Sequence, residues 1–255
     1  MAAPTQFKYS NSVIVYPMLL LLIMWLVFWY QVRVDYGIKS FGIRPQKIEG
    51  LVGIFTSPFL HGDINHLYNN SIPLFVLSLS LFYFYNKIAW KVIVFGILLS
   101  GSLTWIIGNS GNHIGASGLV YVLVSFIFFK GILAKHYRLI ALSLMVIFLY
   151  GSLIWYVFPI KMGMSWEGHL SGLITGFLFA LIFRKQVAKP ERYKWEQPDY
   201  NEDDDPFMKH FDENGNFIEI DVEPEGELNT DFEKELKTES DQTSNIRYIF
   251  KKKED

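Results

Sequence analysis

The feature that most limits what this chain can become is a series of six long apolar stretches, at about 13–31, 64–85, 90–108, 115–131, 139–158 and 168–183. An α-helix rises ~1.5 Å per residue, so about 20 mostly apolar residues cross a hydrocarbon core of ~30 Å. The six stretches reach or nearly reach that length. Within lipid, a spanning segment must also satisfy its own backbone N–H and C=O groups, which a helix does. The expectation is an all-α, polytopic membrane protein with six transmembrane helices. Its first stretch follows a short tail containing Lys8 and ends in Trp29-Tyr30-Gln31 without a small-residue cleavage site, as a retained anchor does and a signal peptide does not.

Charge divides the chain in two. Residues 1–184 hold 12 Lys/Arg against 4 Asp/Glu, a net of +8, whereas residues 185–255 hold 11 against 21, a net of −10. The overall charge of −2 conceals this split. The expected organisation is a short cytoplasmic N-terminus (1–12), a six-span membrane domain (13–185) and an acidic, mostly disordered cytoplasmic tail (186–255), most acidic over 201–206. Inside the tail, Asn214-Gly215 between apolar residues predicts a small hairpin over 211–218. Asp212, Asn214, Asn216 and Glu223 fall at calcium-loop spacing, but Phe217 stands where such a loop needs glycine, so no metal is assigned. The sequence has no cysteine, which removes disulfides, thiolate catalysis and Cys-based metal sites.

Basic residues set the expected orientation. With the N-terminus in the cytoplasm, that side carries Lys8, Lys87, Lys91, Lys130, Lys135, Arg138, Arg184, Lys185, Lys189, Arg192 and Lys194. The other side carries Arg33, Lys39, Arg44, Lys47 and Lys161. This bias and the even number of spans put both termini inside, as expected for a bacterial cytoplasmic (inner) membrane protein. The first outer loop, about 32–63, is long and partly apolar, and is expected to pack against or into the membrane surface.

In this orientation the second, fourth and sixth spans begin on the outer side, where they carry His66 and Asn70, Ser117, and His169. Polar groups gathered at one membrane depth are functional candidates. About 13 residues separate Ser117 from Lys130, roughly 20 Å of helix, so Ser117 is expected below the outer surface in a cavity that admits water. Near a helix N-terminus, its backbone N–H and those of its neighbours are free to donate to a developing oxyanion. Gly115 and Gly118 permit close backbone approach, although Gly-x-Ser-Gly alone is equally a packing motif. Gly168, Gly172, Gly176 and Ala180 give the sixth span a small face; pressed against the fourth span, it would bring His169 to Ser117 as general base and acid. Glu167 is too close to His169 in sequence to orient it, so a Ser–His dyad is expected. His66 and Asn70 share a helix face and can donate to an oxyanion. Tyr121, one turn beyond Ser117, can stack on the imidazole. His113, on a Gly-rich loop, is expected to be exposed or gating. His61, Asp63 and His66 do not have the spacing of a metal site.

These residues resemble the motifs of the rhomboid intramembrane serine proteases: His66-x-x-x-Asn70, Gly115-Ala116-Ser117-Gly118 with Tyr121, and His169-x-x-Gly172-x-x-x-Gly176, in that order over roughly residues 10–185. The resemblance implies a rhomboid-like bundle, with Ser117 as nucleophile and His169 as base. It also implies an oxyanion site of His66, Asn70 and the Ser117 N–H, with Tyr121 packed on His169. His61 matches a histidine common in the family's lead-in to the second span. The first outer loop lacks the Trp-Arg pair of many members. By the same resemblance, the partners are single-span transmembrane substrates within a lipid bilayer, entering laterally past the fifth span and the first outer loop. Neither a cofactor nor nucleic acid is expected. The alternatives are a catalytically silent rhomboid-like protein that binds membrane clients, and a small transporter or channel. Retention of Ser117 and His169 argues against the first, and the gathering of polar groups at one depth against the second.

Overall fold

In the computed structural model, residues 9–160, 163–185, 198–205, 207–212 and 214–218 are described. The chain divides into two units, Met1–Glu191 and Arg192–Asp255. The first unit contains α1 (Ser12–Arg33), α2 (Gly53–Thr56), α3 (Ile64–Phe84), α4 (Asn86–Ile107), α5 (Ser117–Leu133), α6 (Tyr137–Tyr150) and α7 (Trp166–Ile182). All six apolar stretches of the sequence are thus helical. After Tyr150, α6 tightens into a 3-10 helix over Gly151–Val157.

Four helical segments are long and apolar enough to cross a membrane: α1, α3, α4, and α6 with its 3-10 continuation (Tyr137–Val157). The remaining two, α5 and α7, have 17 residues each, or ~25 Å of rise. The outer helices expose large side chains such as Leu22, Leu26, Phe95, Leu144 and Phe148. Water would not tolerate that much contiguous apolar surface, whereas hydrocarbon does. The protein is an integral membrane protein.

The centre of the unit is α5, whose residues Leu119 to Ile127 are all buried, as in a helix with protein on every side. Its closest neighbour is α7, which runs parallel to it. A Cβ at Gly172 would overlap the Gly118 carbonyl and stand 2.7 Å from Tyr121 Cβ. One at Gly176 would overlap the Val122 carbonyl and stand 2.7 Å from Ser125 Cβ and 2.8 Å from Phe126 N. With the backbones this near, Ser125 Oγ donates to Leu173 O (2.7 Å). At the far end the fully buried Lys130 donates through Nζ to Phe183 O, satisfying a carbonyl that α7 leaves free at its C-terminus. The packing of α6 on α5 uses the same principle, with Gly131 leaving room for Ser143, whose hydroxyl donates to Phe128 O (2.9 Å) and Leu139 O (3.0 Å).

The first outer loop is ordered by short 3-10 turns at Tyr36–Phe41, Ile48–Gly50 and Ser57–Phe59. Ile43 forms an antiparallel bridge with His113, through paired backbone bonds of 2.9 and 2.8 Å. Gly115 N–H donates to Ser57 O (2.8 Å). The loop is therefore pinned to the segment that leads into α5. Its apolar side chains Phe41, Ile48, Val52 and Phe55 remain exposed. Where it returns to α3, the buried Gln31 side chain at the end of α1 donates to His61 O (2.7 Å) and accepts from His61 N–H (3.4 Å). The His61 ring is 0% exposed. Burial, and next the neighbouring His66, push its pKa down to about 4.

In the second unit, Phe211 and Phe217 pair across an Asn214-Gly215 turn with Gly215 at φ +80°, the expected hairpin. Asp212 Oδ1 accepts from the N–H groups of Asn214 (2.9 Å) and Asn216 (2.8 Å), so this carboxylate closes the turn. Glu223 and the greater part of the tail expected to be disordered, with residues 1–8, lie outside the described residues.

Two outcomes follow. Gly176→Ala forces Val122, Ser125 and Phe126 backbone away from α7 and should lower stability by roughly 1–3 kcal/mol, read as a lower thermal midpoint in detergent. His61 takes up a proton near pH 4 when folded and near 6.5 when unfolded, so the unfolded chain holds more protons between those values. Stability should therefore fall as pH drops from about 6.5 to about 4 and gain no further dependence from this group outside that window. Thermal unfolding against pH should show a shallower fall in His61→Asn.

Candidate active site

Each of the three helices carrying candidate residues starts differently. Asp63 caps α3 by accepting from His66 N–H (2.9 Å), and Ser165 caps α7 by accepting from Gly168 N–H (3.2 Å). No side chain caps α5, which begins at Ser117 after Ala116. The first-turn N–H groups of α5 have no intrahelical partners, and the positive end of its dipole lies at Ser117.

Gly115 sets the approach to that end. Its φ is +114°, a conformation L side chains rarely adopt. A Cβ there would also stand 2.6 Å from His66 Nε2, 2.7 Å from His66 Cε1 and 3.4 Å from Asn70 Nδ2. The α3 residues therefore close directly on the backbone two residues before Ser117. His66 Nδ1 accepts from Gly62 N–H (3.3 Å), which leaves the ring proton on Nε2, the nitrogen facing Gly115. Asn70 spends one of its two amide protons on His66 O (3.2 Å) and has the other to give.

His169 has the opposite tautomer. Its Nδ1–H donates to Tyr156 O (2.8 Å), so Nε2 holds the lone pair. The ring is buried, 6% exposed, and stacks on Tyr121 with centroids 4.3 Å apart and planes at 11°. Tyr121 is held in turn by its hydroxyl, which donates to Leu153 O (2.7 Å). The first turns of α5 and α7 lie side by side, since a Cβ on Gly118 would be 3.7 Å from Gly168 O. Ser117 and Gly168 line one cavity of about 40 Å³ together with Ser100, Thr104, His113 and Ser165, room for roughly one water. A larger apolar cavity of about 400 Å³, between Phe95 and Leu99 on α4 and Phe179 and Ile182 on α7, has no titratable group in its lining.

The structure sets His66 and Asn70 against Gly115, stacks Tyr121 on His169, and brings the first turns of α5 and α7, which carry Ser117 and His169, side by side. His113 differs from expectation: it is half-buried and engaged on both ring nitrogens. Its Nε2–H donates to Asn109 O (3.1 Å), and Nδ1 accepts from Ser165 Oγ–H (2.5 Å). Glu167, set aside from the sequence, is 3% exposed and accepts from Asn109 N–H (3.1 Å). Together Ser165, Glu167 and His113 tie the 109–113 loop to the start of α7. Ser165, directly before a helix with a glutamate two residues on, carried a legible cap signal. The carbonyls of Leu153 and Tyr156 carried none, because every residue type has one.

A rhomboid-domain profile matches residues 49–186. Uncharacterised proteins of Mycobacterium tuberculosis and Mycobacterium bovis are each 37% identical to the chain over 167 residues, covering 59% of this chain and 65% of theirs. One from Mycobacterium leprae is 35% identical over 173 residues, covering 62% and 64%. The chain spans somewhat less than two thirds of the length of these relatives. The profile takes in more than half of the chain, including every helix from α3 to α7, and on that ground the protein belongs to the rhomboid family.

Proposed function

We propose that the protein is an intramembrane serine endopeptidase that cleaves single-span membrane proteins in or near their transmembrane helices through a Ser117–His169 dyad. One observation carries the reading: two histidines hold opposite tautomers around an uncapped helix N-terminus that begins with a serine. His66 offers a proton from Nε2 and His169 a lone pair from Nε2. Acyl transfer requires that pair of roles, a donor toward the developing oxyanion and a base toward the hydroxyl.

His169 Nε2 takes the proton of Ser117 Oγ–H as Oγ attacks the scissile carbonyl carbon. The oxyanion is met by Ser117 N–H, His66 Nε2–H and Asn70 Nδ2–H. Collapse breaks the C–N bond, and the proton on His169 goes to the leaving amine. Water, deprotonated by the same Nε2, attacks the acyl-enzyme and releases the acid, returning the proton to Ser117. Tyr121 holds the imidazole in its plane throughout.

The bilayer supplies the remaining condition. With α1, α3, α4, α5, α6 and α7 all crossing, the ~25 Å of α5 falls short of a ~30 Å core, which sinks Ser117 below the outer surface. Both termini then lie in the cytoplasm of a bacterial inner-membrane protein. A substrate helix must open locally to expose a peptide bond there, which favours segments with small or helix-breaking residues.

Purified protein treated with a fluorophosphonate should label on Ser117. Ser117→Ala should abolish labelling, His169→Ala should slow it about 100-fold or more, and His66→Ala should slow it by a comparable factor. Equal labelling of the parent and Ser117→Ala would overturn the reading. A parent that binds a single-span peptide yet neither labels nor cleaves would identify a silent client-binding member.

A further inference from the structure

Both rings of the site are held by backbone groups of one short segment. Tyr121 Oη donates to Leu153 O at 2.7 Å, and His169 Nδ1 donates to Tyr156 O at 2.8 Å. Leu153 and Tyr156 are three residues apart in the stretch Gly151–Val157, where α6 has passed from α to 3-10 geometry. In a 3-10 helix, residues i and i+3 eclipse, so their carbonyls share one azimuth. In an α-helix they would be offset by about 60°, since three residues turn ~300°. The tight winding therefore presents two carbonyls in line toward two rings stacked 4.3 Å apart. The segment turns other groups outward: Ile154 and Trp155 are exposed, Trp155 at 64%. Val157, the last residue of the turn, is buried.

We propose that the 3-10 segment Gly151–Val157 is a positioning element for the base, with the Tyr156 carbonyl taking the part that a carboxylate plays in a catalytic triad and the Leu153 carbonyl fixing the stacking ring. The proposal rests on the reading of Ser117 and His169 as a dyad. It adds that the competence of His169 depends on the seat of the fifth apolar helix. When Tyr156 O accepts from Nδ1–H, the lone pair stays on Nε2. When the segment leaves its seat, the proton exchanges between the two nitrogens and the ring is released from its plane. Anything in the bilayer that presses on the outward Ile154 and Trp155 face thereby acts on the base itself.

The test weakens one carbonyl and removes one backbone N–H without altering a side chain, and a second ester on the same turn controls for the lost N–H. Replacing Val157 with its α-hydroxy acid turns the 156–157 amide into an ester, whose carbonyl is a poorer acceptor. Replacing Trp155 with its α-hydroxy acid does the same to the Ile154 carbonyl, on the same turn but away from His169. In the full-length protein the ester at 157 should slow fluorophosphonate labelling of Ser117 about tenfold or more. The ester at 155 should stay within about twofold of the parent, the range of a surface change. Tyr121→Phe, which keeps the ring and loses the bond to Leu153 O, should fall between them. Nitrogen-15 NMR of histidine-labelled protein, with the His169 signal assigned through His169→Ala, should show the Nδ1–H form in the parent and a tautomer mixture in the 157 ester. Parent-like labelling and tautomer in the 157 ester, or an equal loss in the 155 ester, would overturn the positioning role while leaving the dyad intact. Absence of Ser117-dependent labelling in the parent would instead bring down the dyad and the positioning role together.

Discussion

The rest of the structure depends on how closely α5 and α7 approach. At Gly172 and Gly176 the α7 backbone lies directly against the Gly118 and Val122 carbonyls and the Cβ atoms of Tyr121 and Ser125, with no α7 side chain between. In lipid there is little hydrophobic gain from bringing two apolar helices together, and packing at this range together with interhelical hydrogen bonds takes its place. The bonds from Ser125 to Leu173 O and from Lys130 to Phe183 O lie on the same seam, at its middle and at its far end. They fix the register of the pair, and register decides whether the first turns meet. A slip of one residue rotates a helix face by ~100° and would carry His169 off Tyr121.

Once the register is fixed, the loops need only hold the two helix starts level. The Ile43–His113 bridge, the Gly115–Ser57 bond and the His113–Ser165 and Glu167–Asn109 bonds link the first outer loop, the 109–113 loop and the start of α7. These loops are polar backbone at the edge of a bilayer, and their hydrogen bonds are made to one another instead of to lipid. The α5 start differs from those of α3 and α7 in that its donors receive no side-chain cap. The bonds of these loops are thus made within the structure, while the first-turn N–H groups of α5 stay uncapped by any side chain.

Much of this was legible in the sequence. Apolar length gave the helices to within a few residues, and the four-residue spacing of Gly168, Gly172 and Gly176 announced the tight seam. The placement of His66, Asn70, Ser117 and His169 near the starts of three apolar stretches pointed to the first turns of α3, α5 and α7, where the structure sets His66 and Asn70 against Gly115 and Tyr121 against His169. Side-chain roles that depend on a partner's backbone were not legible. Glu167 read as useless because a residue two places from His169 cannot reach back to it, yet the geometry turns it toward Asn109 N–H. His113 read as exposed or gating because its loop is rich in glycine; the structure half-buries it, and its partner Ser165 lies on a distant segment. The 3-10 winding after Tyr150 was hidden too, since Gly151 to Val157 is as apolar as the helix before it.

That hidden winding bears on why the proposed Ser117–His169 dyad would need no third side chain. In water-soluble hydrolases a carboxylate fixes the histidine tautomer and stabilises the imidazolium that forms. At membrane depth, a resident carboxylate carries a desolvation cost of several kcal/mol, to be met at all times and not only during turnover. A backbone carbonyl fixes the same tautomer with a partial charge and needs no counter-ion. It gives up some stabilisation of the imidazolium in return, a loss the stacked Tyr121 ring offsets in part through its negative face. Glu167, the carboxylate two residues before His169, is occupied by the Asn109 N–H. On the proposed dyad, the arrangement exchanges a strong fixed charge for a carbonyl whose strength lies in its placement, which would make the winding of Gly151–Val157 part of the chemistry.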